Sequence, residues 1–220
     1  MTLKADLDAF RDHFMSAAPP DVRAAMLRAD IDLAASDIRE RALRAGDAAP
    51  DFTLSDAHGA PVSLRDLLAR GPVVLSFYRG GWCPYCNLEL RALQAVLGDI
   101  TRLGANLVAV SPQTPDESLS TAEKNALAFA VLSDAGSHAA RRFGVAFDLA
   151  EALRPIYARL GHALPDRNGD DSWTLPLPAS FVIDRDGTIA LAFVDVDYRN
   201  RLEPTDILAA LRALAATRAA

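Results

Sequence analysis

Cys83 and Cys86, the two cysteines among 220 residues, stand three apart inside the run Phe77-Tyr78-Arg79-Gly80-Gly81-Trp82-Cys83-Pro84-Tyr85-Cys86-Asn87-Leu88-Glu89-Leu90. A strand-like segment, Val73 to Phe77, precedes the pair, and a helical pattern, Cys83 to Leu97, follows it. The cysteines therefore fall at a helix N-terminus, where unpartnered backbone N–H groups and the helix dipole stabilise a thiolate. This spacing puts both sulfurs on one helical face, with Cα atoms within the ~4.4 to 6.8 Å over which a disulfide closes without large strain. The chemistry this predicts is a reversible dithiol–disulfide cycle. Pro84 suits the first helical turn, Gly80 and Gly81 permit close backbone approach, Trp82 adjoins the first sulfur, and Arg79 brings positive charge beside it.

Other clusters offer less. The four histidines, His13, His58, His138 and His162, are not at ligand spacing with one another or with the cysteines, so no metal site is expected. His138 and His162 read as surface or structural residues. Asp166, Asn168, Asp170 and Asp171 superficially suggest calcium but lack the glycine and glutamate placement of a calcium loop, and read as a solvated segment. There is no Gly-rich phosphate loop and no serine nucleophile motif, so no nucleotide or other cofactor is expected. A net charge of -6 argues against nucleic acid and against an anionic membrane surface as partners. No stretch approaches the ~18 to 20 apolar residues of a membrane span, and the acidic N-terminus lacks signal-peptide character, so a cytoplasmic protein is expected. With 50% hydrophobic and 24% charged residues, a chain of this length buries roughly 70% of its unfolded surface and needs no disulfide staple.

The elements that must position the cysteines follow from periodicity. Residues 1–45 read as an N-terminal helical extension of two helices, with Leu3, Leu7, Phe10 and Phe14 on one stripe and Val22, Met26, Leu33 and Ile38 after the Pro19-Pro20 break. The stripe reads as a packing face, against the body or against a second subunit. Residues 46–220 read as one α/β domain. Strands are expected at Val73 to Phe77, Asn106 to Val110 and Ala128 to Leu132, and helices at Pro115 to Asn125 and Ser137 to Phe143. Ser180 to Asp184 and Thr188 to Val194 form a hairpin through Asp186-Gly187, and Pro204 to Leu214 is a closing amphipathic helix. Asp195, Asp197, Tyr198, Arg199, Arg201 and Glu203 form a polar stretch between them, with two readings: a loop that comes near the cysteine helix in a substrate or proton-handling role, or helix caps and surface ion pairs, the commoner use of such residues. Trp173 reads as packed against the body.

The chain resembles the peroxiredoxin-like proteins of the alkyl hydroperoxide reductase and thiol-specific antioxidant superfamily, in the branch that carries CxxC. The likeness runs from about residue 46 to 214 and rests on ordered matches. These are GDAAPDFTL from Gly46, FYRGGWCPYCNLEL from Phe77, VAVSPQTPDES from Val108, LSDAGSHAARRFGV from Leu132, LPLPASFVIDRDG from Leu175 and DYRNRLEP from Asp197. The resemblance implies a thioredoxin-like fold with a central mixed sheet. In peroxiredoxins proper, Thr or Ser stands three residues before the peroxide-reacting Cys and Pro stands seven before, and an Arg from a later strand completes the pocket. On that pattern Cys86 takes the peroxidatic position, Cys83 replaces Thr, Arg79 replaces Pro, and Pro178 replaces the later Arg. Pro178 instead resembles the cis-proline that faces the CxxC of thioredoxins, which implies a cis Leu177-Pro178 bond.

The resemblance implies a thiol-dependent peroxidase acting on hydrogen peroxide or organic hydroperoxides, regenerated by a thioredoxin- or glutaredoxin-type reductant. In that cycle one sulfur becomes a sulfenic acid and the other condenses with it, while Arg79 polarises the peroxide. Two alternatives stay open: dithiol exchange with a protein disulfide, begun by a more exposed Cys83, and a redox-inert or sensing interaction module that dimerises through its N-terminal helices. Helix position favours Cys83 as the attacking sulfur and the family pattern favours Cys86. A homodimer is compatible with each reading.

Overall fold

The computed structural model describes residues 2–219. The chain opens with α1 (Leu3–Ala17), α2 (Pro20–Ala34) and the single turn α3 (Ile38–Arg41). Thr2 caps α1 by accepting the Ala5 N–H, and Pro20 starts α2 where its missing N–H costs nothing. The body then alternates β1 (Thr53–Asp56), β2 (Pro61–Ser63), α4 (Leu64–Arg70), β3 (Val73–Phe77), α5 (Pro84–Ala95), α6 (Leu97–Arg102), β4 (Asn106–Ser111), α7 (Pro115–Lys124), β5 (Ala130–Ser133) and α8 (His138–Arg142). After these come β6 (Ala146–Asp148), α9 (Arg154–Arg159), α10 (Leu164–Asn168), β7 (Thr174–Pro176), β8 (Ala179–Ile183), β9 (Ile189–Val194) and α11 (Pro204–Ala219).

Seven strands form one mixed sheet in the order β2-β1-β5-β4-β3-β8-β9, with β3, β4 and β5 parallel and the remaining pairings antiparallel. The expected parallel layer and the Asp-Gly hairpin are both present. The ribbon of β6 and β7, and the helices α9 and α10 between its strands, lie in a segment whose sequence carried no clear period.

β3 is buried along its whole length between β4 and β8. Its side chains alternate between the two faces of the sheet. Val73, Leu75 and Phe77 join Phe143 and Phe181 on one face, whereas Val74 and Tyr78 join Leu90, Val182, Leu208 and Leu211 on the other. Cys83 and Cys86 belong to this second cluster, as do Leu3 and Leu7 of α1. The N-terminal helix is thus packed directly against the redox helix, and Phe10 meets Tyr85 edge-on with ring centroids 5.0 Å apart.

Among the described residues no peptide bond is cis, so the expected cis Leu177-Pro178 bond is not found. The Leu177 N–H donates to the Val145 carbonyl at 2.8 Å, carrying on the β6–β7 ladder, and Ala179 at once pairs with Phe77. The linker runs extended from one sheet into the other on trans bonds.

Gly144 fastens the segment after α2 to the body. Its φ is +72°, and a Cβ built there would lie 2.0 Å from the Arg41 carbonyl oxygen, beside the Leu43 N–H bond to the Phe143 carbonyl at 3.1 Å. Gly144→Ala is expected to destabilise the fold by roughly 2 to 4 kcal/mol, from left-handed backbone strain plus the clash. Urea unfolding followed by Trp fluorescence checks this, and an unchanged midpoint would show that the contact is not tight.

Candidate active site

The sharp turn from β3 into α5 builds the site. The Tyr78 N–H continues the β3 ladder to the Val110 carbonyl at 2.9 Å, and the Cys83 N–H closes onto the Gly80 carbonyl at 3.0 Å. Gly80 has φ +146°, and a Cβ there would meet the Trp82 indole nitrogen at 2.3 Å, so a residue without a side chain is required. A polar scaffold holds the loop from behind. Gln113 Oε1 accepts the Gly81 N–H at 2.7 Å, Asn87 Nδ2 donates to the Gly81 carbonyl at 2.8 Å, and Asn125 Nδ2 donates to Asn87 Oδ1 at 2.8 Å. Cys83 is the N-cap of α5, Pro84 its first residue, and Cys86 lies one turn inside.

Both cysteines are reduced and buried, Cys83 with 2% of its surface exposed and Cys86 with none. Cys83 is the more accessible of the two, as expected, and it lines a cavity, although both sulfurs are largely covered. Phe10, Phe14, Tyr85 and Tyr198 line, with Cys83, the cavity at the helix end. Burial pushes the Cys83 thiol pKa upward, but hydrogen bonds from the Cys86 thiol and backbone N–H, together with the Arg79 and Arg201 guanidiniums, outweigh it and bring it down to about 6. The Cys86 pKa moves the other way, raised by burial and by the hydrogen bond it gives to Cys83. The electrostatics make Cys83 the thiolate and Cys86 the protonated partner.

Arg79 is 3% exposed and has no carboxylate partner. Its guanidinium carbon lies 5.1 Å from the Trp82 ring centroid, 5.6 Å from that of Tyr157 and 4.3 Å from that of Tyr198. Nη2 donates to the Tyr157 hydroxyl, and Nε has no partner. Arginine tolerates this setting because its charge is delocalised and weakly hydrated and the ring faces are negative.

A second cation comes from the polar stretch before α11, and of its two readings Arg201 follows the approach to the cysteine helix rather than surface pairing. The turn before α11 folds inward, and Arg201 Nη2 donates to Cys86 Sγ at 3.4 Å while Nε pairs with Glu89 Oε2 at 2.5 Å. Glu89 is one turn after Cys86 on α5 and accepts from Ser180 Oγ of β8 at 3.4 Å. Burial, against the pull of Arg201, raises the Glu89 carboxyl to about 7. Elsewhere in the stretch, Glu203 does act as a cap, but of α1, accepting the Leu3 and Lys4 N–H groups at 3.3 and 2.7 Å. Arg199 joins Asp197 and Asp30 in a partly buried pairing.

Of the residues singled out from sequence, Arg79, Trp82, Cys83 and Pro84 line one cavity of about 180 Å³, with Cys86 directly beneath Cys83. Pro178 is buried but is not among the lining residues. His162, read as surface or structural, stacks on Trp82 at 5.0 Å and also lines the cavity. Trp173 packs in the separate cluster around Leu149 and Leu164, as expected of a body-packed residue. The sequence reading missed Glu89, Tyr157 and the contribution of Phe10, Phe14 and Met26. A carboxylate three residues after Cys86 on the same helical face was a usable signal for Glu89; nothing in the local sequence of Tyr157 marked it.

The AhpC/TSA family model matches residues 45–192. The chain is 32% identical over 103 residues to Peroxiredoxin Bcp of Escherichia coli (strain K12), covering 47% of this chain and 65% of that protein. It is 28% identical over 159 residues to the chloroplastic Peroxiredoxin Q of Sedum lineare, covering 72% and 70% respectively. The crystal structure of peroxidoxin BcpB from Mycobacterium tuberculosis superposes with a TM-score of 0.61 at 27% identity, over 78% of this chain and 98% of that one. Together with the reduced dithiol at the head of α5, the matched span shows that this chain belongs to the AhpC/TSA family of peroxiredoxins.

Proposed function

We propose that this thiol-dependent peroxidase attacks its hydroperoxide with Cys83 and resolves the product with Cys86. The observation that carries the reading is the placement of two reduced, buried cysteines one turn apart at the head of α5, beside the buried guanidiniums of Arg79 and Arg201, the latter donating to Cys86 Sγ at 3.4 Å. The Cys83 thiolate attacks the terminal oxygen of the hydroperoxide; the S–O bond forms, the O–O bond breaks, and the proton Cys83 released on ionising returns to the leaving oxygen as alcohol or water. Arg79, with a guanidinium edge free of protein acceptors, polarises the O–O bond and stabilises the leaving oxygen. The Cys86 thiol then attacks the Cys83 sulfenic acid, giving the disulfide and water. A thioredoxin- or glutaredoxin-type thiol restores the dithiol.

Arg201 and Glu89 serve as positioning residues for Cys86. Arg201 lowers the cost of charge on either sulfur, and Glu89, poised at about 7, holds that guanidinium in place. Residues 1–45 act as a helical extension to a catalytic unit spanning 46–220. A homodimer through the N-terminal helices fits the exposure of Leu27 and Ile31 on α2. A cytoplasmic setting is proposed; among the described residues no helix is long and apolar enough to cross a membrane.

Cys83→Ser is expected to abolish peroxide consumption, while Cys86→Ser retains one turnover and accumulates a sulfenic acid at Cys83, trapped by dimedone and located by mass spectrometry. The opposite pattern would assign the attack to Cys86. Because the Cys83 pKa is lowered, its thiolate persists above about pH 6 and is lost as pH falls through that value. Iodoacetamide alkylation of Cys83 in the Cys86→Ser variant, which loses one of the bonds that lower this pKa, should titrate at least a unit below an ordinary thiol; a profile still rising at pH 9 would refute the assignment. Arg201→Met should raise the Cys83 pKa, slowing peroxide reaction at neutral pH about tenfold for each unit by which it exceeds the assay pH. It should also destabilise the fold by about 3 to 5 kcal/mol through the stranded Glu89. Stopped-flow rates and urea melts on the same sample separate the two effects.

A further inference from the structure

The cavity above Cys83 is walled by rings rather than by polar groups. Trp82, Tyr85, Tyr157 and Tyr198 surround it on the side of the body. The opposite wall comes from α1 and α2, which contribute Phe10, Phe14 and Met26, and its mouth is at Leu160, which is 51% exposed. At about 180 Å³ the space is comparable to the ~150 Å³ apolar cavity known to accept benzene. The reacting groups, Cys83 and Arg79, sit together at its floor, so a molecule whose hydroperoxyl end reaches the sulfur must lay its organic end against these rings.

Hydrogen peroxide would leave such a space unfilled. A compact apolar group, by contrast, exchanges water for ring faces and gains roughly 25 cal/mol for each Å² of surface it buries. α1 and α2 lie wholly before residue 45, outside the span matched by the family model. The selecting wall therefore lies outside the matched span. Its placement is enforced by packing, because Leu3 and Leu7 of α1 are buried in the same cluster as Cys83 and Leu90.

We propose that the ring-lined cavity is the seat for the organic group of a compact, apolar hydroperoxide, and that Phe10, Phe14 and Met26 of the N-terminal helices determine which hydroperoxide is reduced. This rests on the peroxidase reading above and names its substrate class. Selectivity arises from fit and desolvation, with the hydroperoxyl group held by Arg79 and the organic group supplying the discrimination.

The test compares kcat/KM for cumene hydroperoxide, tert-butyl hydroperoxide and hydrogen peroxide, first in the wild type and then in Phe14→Ala and Met26→Trp. The wild type should prefer cumene hydroperoxide to hydrogen peroxide by at least about tenfold. Phe14→Ala, which removes part of the wall, should reduce that ratio about fivefold or more. Met26→Trp, which fills the cavity, should reduce it further, with the bulky substrate losing most. Ratios within one protein sample are insensitive to a loss of folded material, and circular dichroism checks that each variant is folded. A wild type without preference, or ratios unmoved in both variants, would overturn the proposed seat while leaving the peroxidase intact. Failure to reduce any of the three hydroperoxides, with Cys83 still alkylated rapidly, would overturn the peroxidase reading itself.

Discussion

Holding a charged sulfur in a dry interior is the constraint from which the arrangement of this molecule follows. A lone ion in such surroundings costs several kcal/mol even after relaxation, so a buried Cys83 thiolate persists only if opposite charge is built in around it. The N-terminus of α5 supplies part of that charge, and Arg79 and Arg201 supply the rest. Each guanidinium then has to be stabilised in turn. Three aromatic faces and the Tyr157 hydroxyl hold Arg79, while Glu89 and the Tyr198 and Asn200 carbonyls hold Arg201. Ser180 completes the sequence by donating to Glu89, which ties the charge balance to the central sheet through β8.

The two cations differ in what surrounds them. Arg201 is paired with Glu89, so whenever that carboxyl is ionised its field at the sulfurs is that of an ion pair seen from its positive end. Among the described residues Arg79 forms no ion pair; rings and the two sulfurs surround it, and Asp30, itself paired with Arg199, acts on it only at longer range. In a site with little water, a cation lacking a carboxylate partner interacts most strongly with whatever negative charge arrives or develops. The same aromatic residues that keep Arg79 desolvated also wall the cavity, so charge stabilisation and apolar recognition are two properties of one set of side chains.

Most of the fold could be read from the sequence because its signals are local. The run Val73 to Phe77, apolar but for Ser76, marks a strand buried on both faces, and Pro204 with Ile207, Leu208 and Leu211 marks the amphipathic last helix. Cys83, Cys86, Arg79 and Trp82 were legible for the same reason, since a strand, a glycine pair and a CxxC at a helix start form a contiguous pattern. What escaped was assembled across distance. Arg201 is 115 residues from Cys86, and whether such a residue turns inward or outward depends on the path of a turn that no periodicity describes. Phe10 and Phe14 lay on a stripe correctly read as a packing face, but the stripe itself does not say that its partner is the mouth of the redox site. The error over Leu177-Pro178 has a related origin. A motif neighbour of the thioredoxin proline was identified by position, whereas the bond geometry is set by the β6–β7 ribbon, which the sequence reading did not anticipate.

The departures from the peroxiredoxin pattern therefore have a different meaning in space than along the chain. Read linearly, Arg79 in place of Pro, Cys83 in place of Thr and Pro178 in place of Arg suggest a pocket that has lost its parts. In the folded protein, two guanidiniums lie by the sulfurs, one from the loop after β3 and one from the turn before α11. Where a Thr would offer a hydroxyl there is a second thiol, which in the proposed cycle is one member of the dithiol. A thiolate requires positive charge and hydrogen-bond donors at given positions around it, and is indifferent to which segment delivers them. If the thiolate sits one turn back at the helix cap, at Cys83 rather than Cys86 as proposed, it faces a cavity shared with Phe10, Phe14 and Met26 of α1 and α2, and its reactivity is then coupled to a part of the chain outside the matched family span.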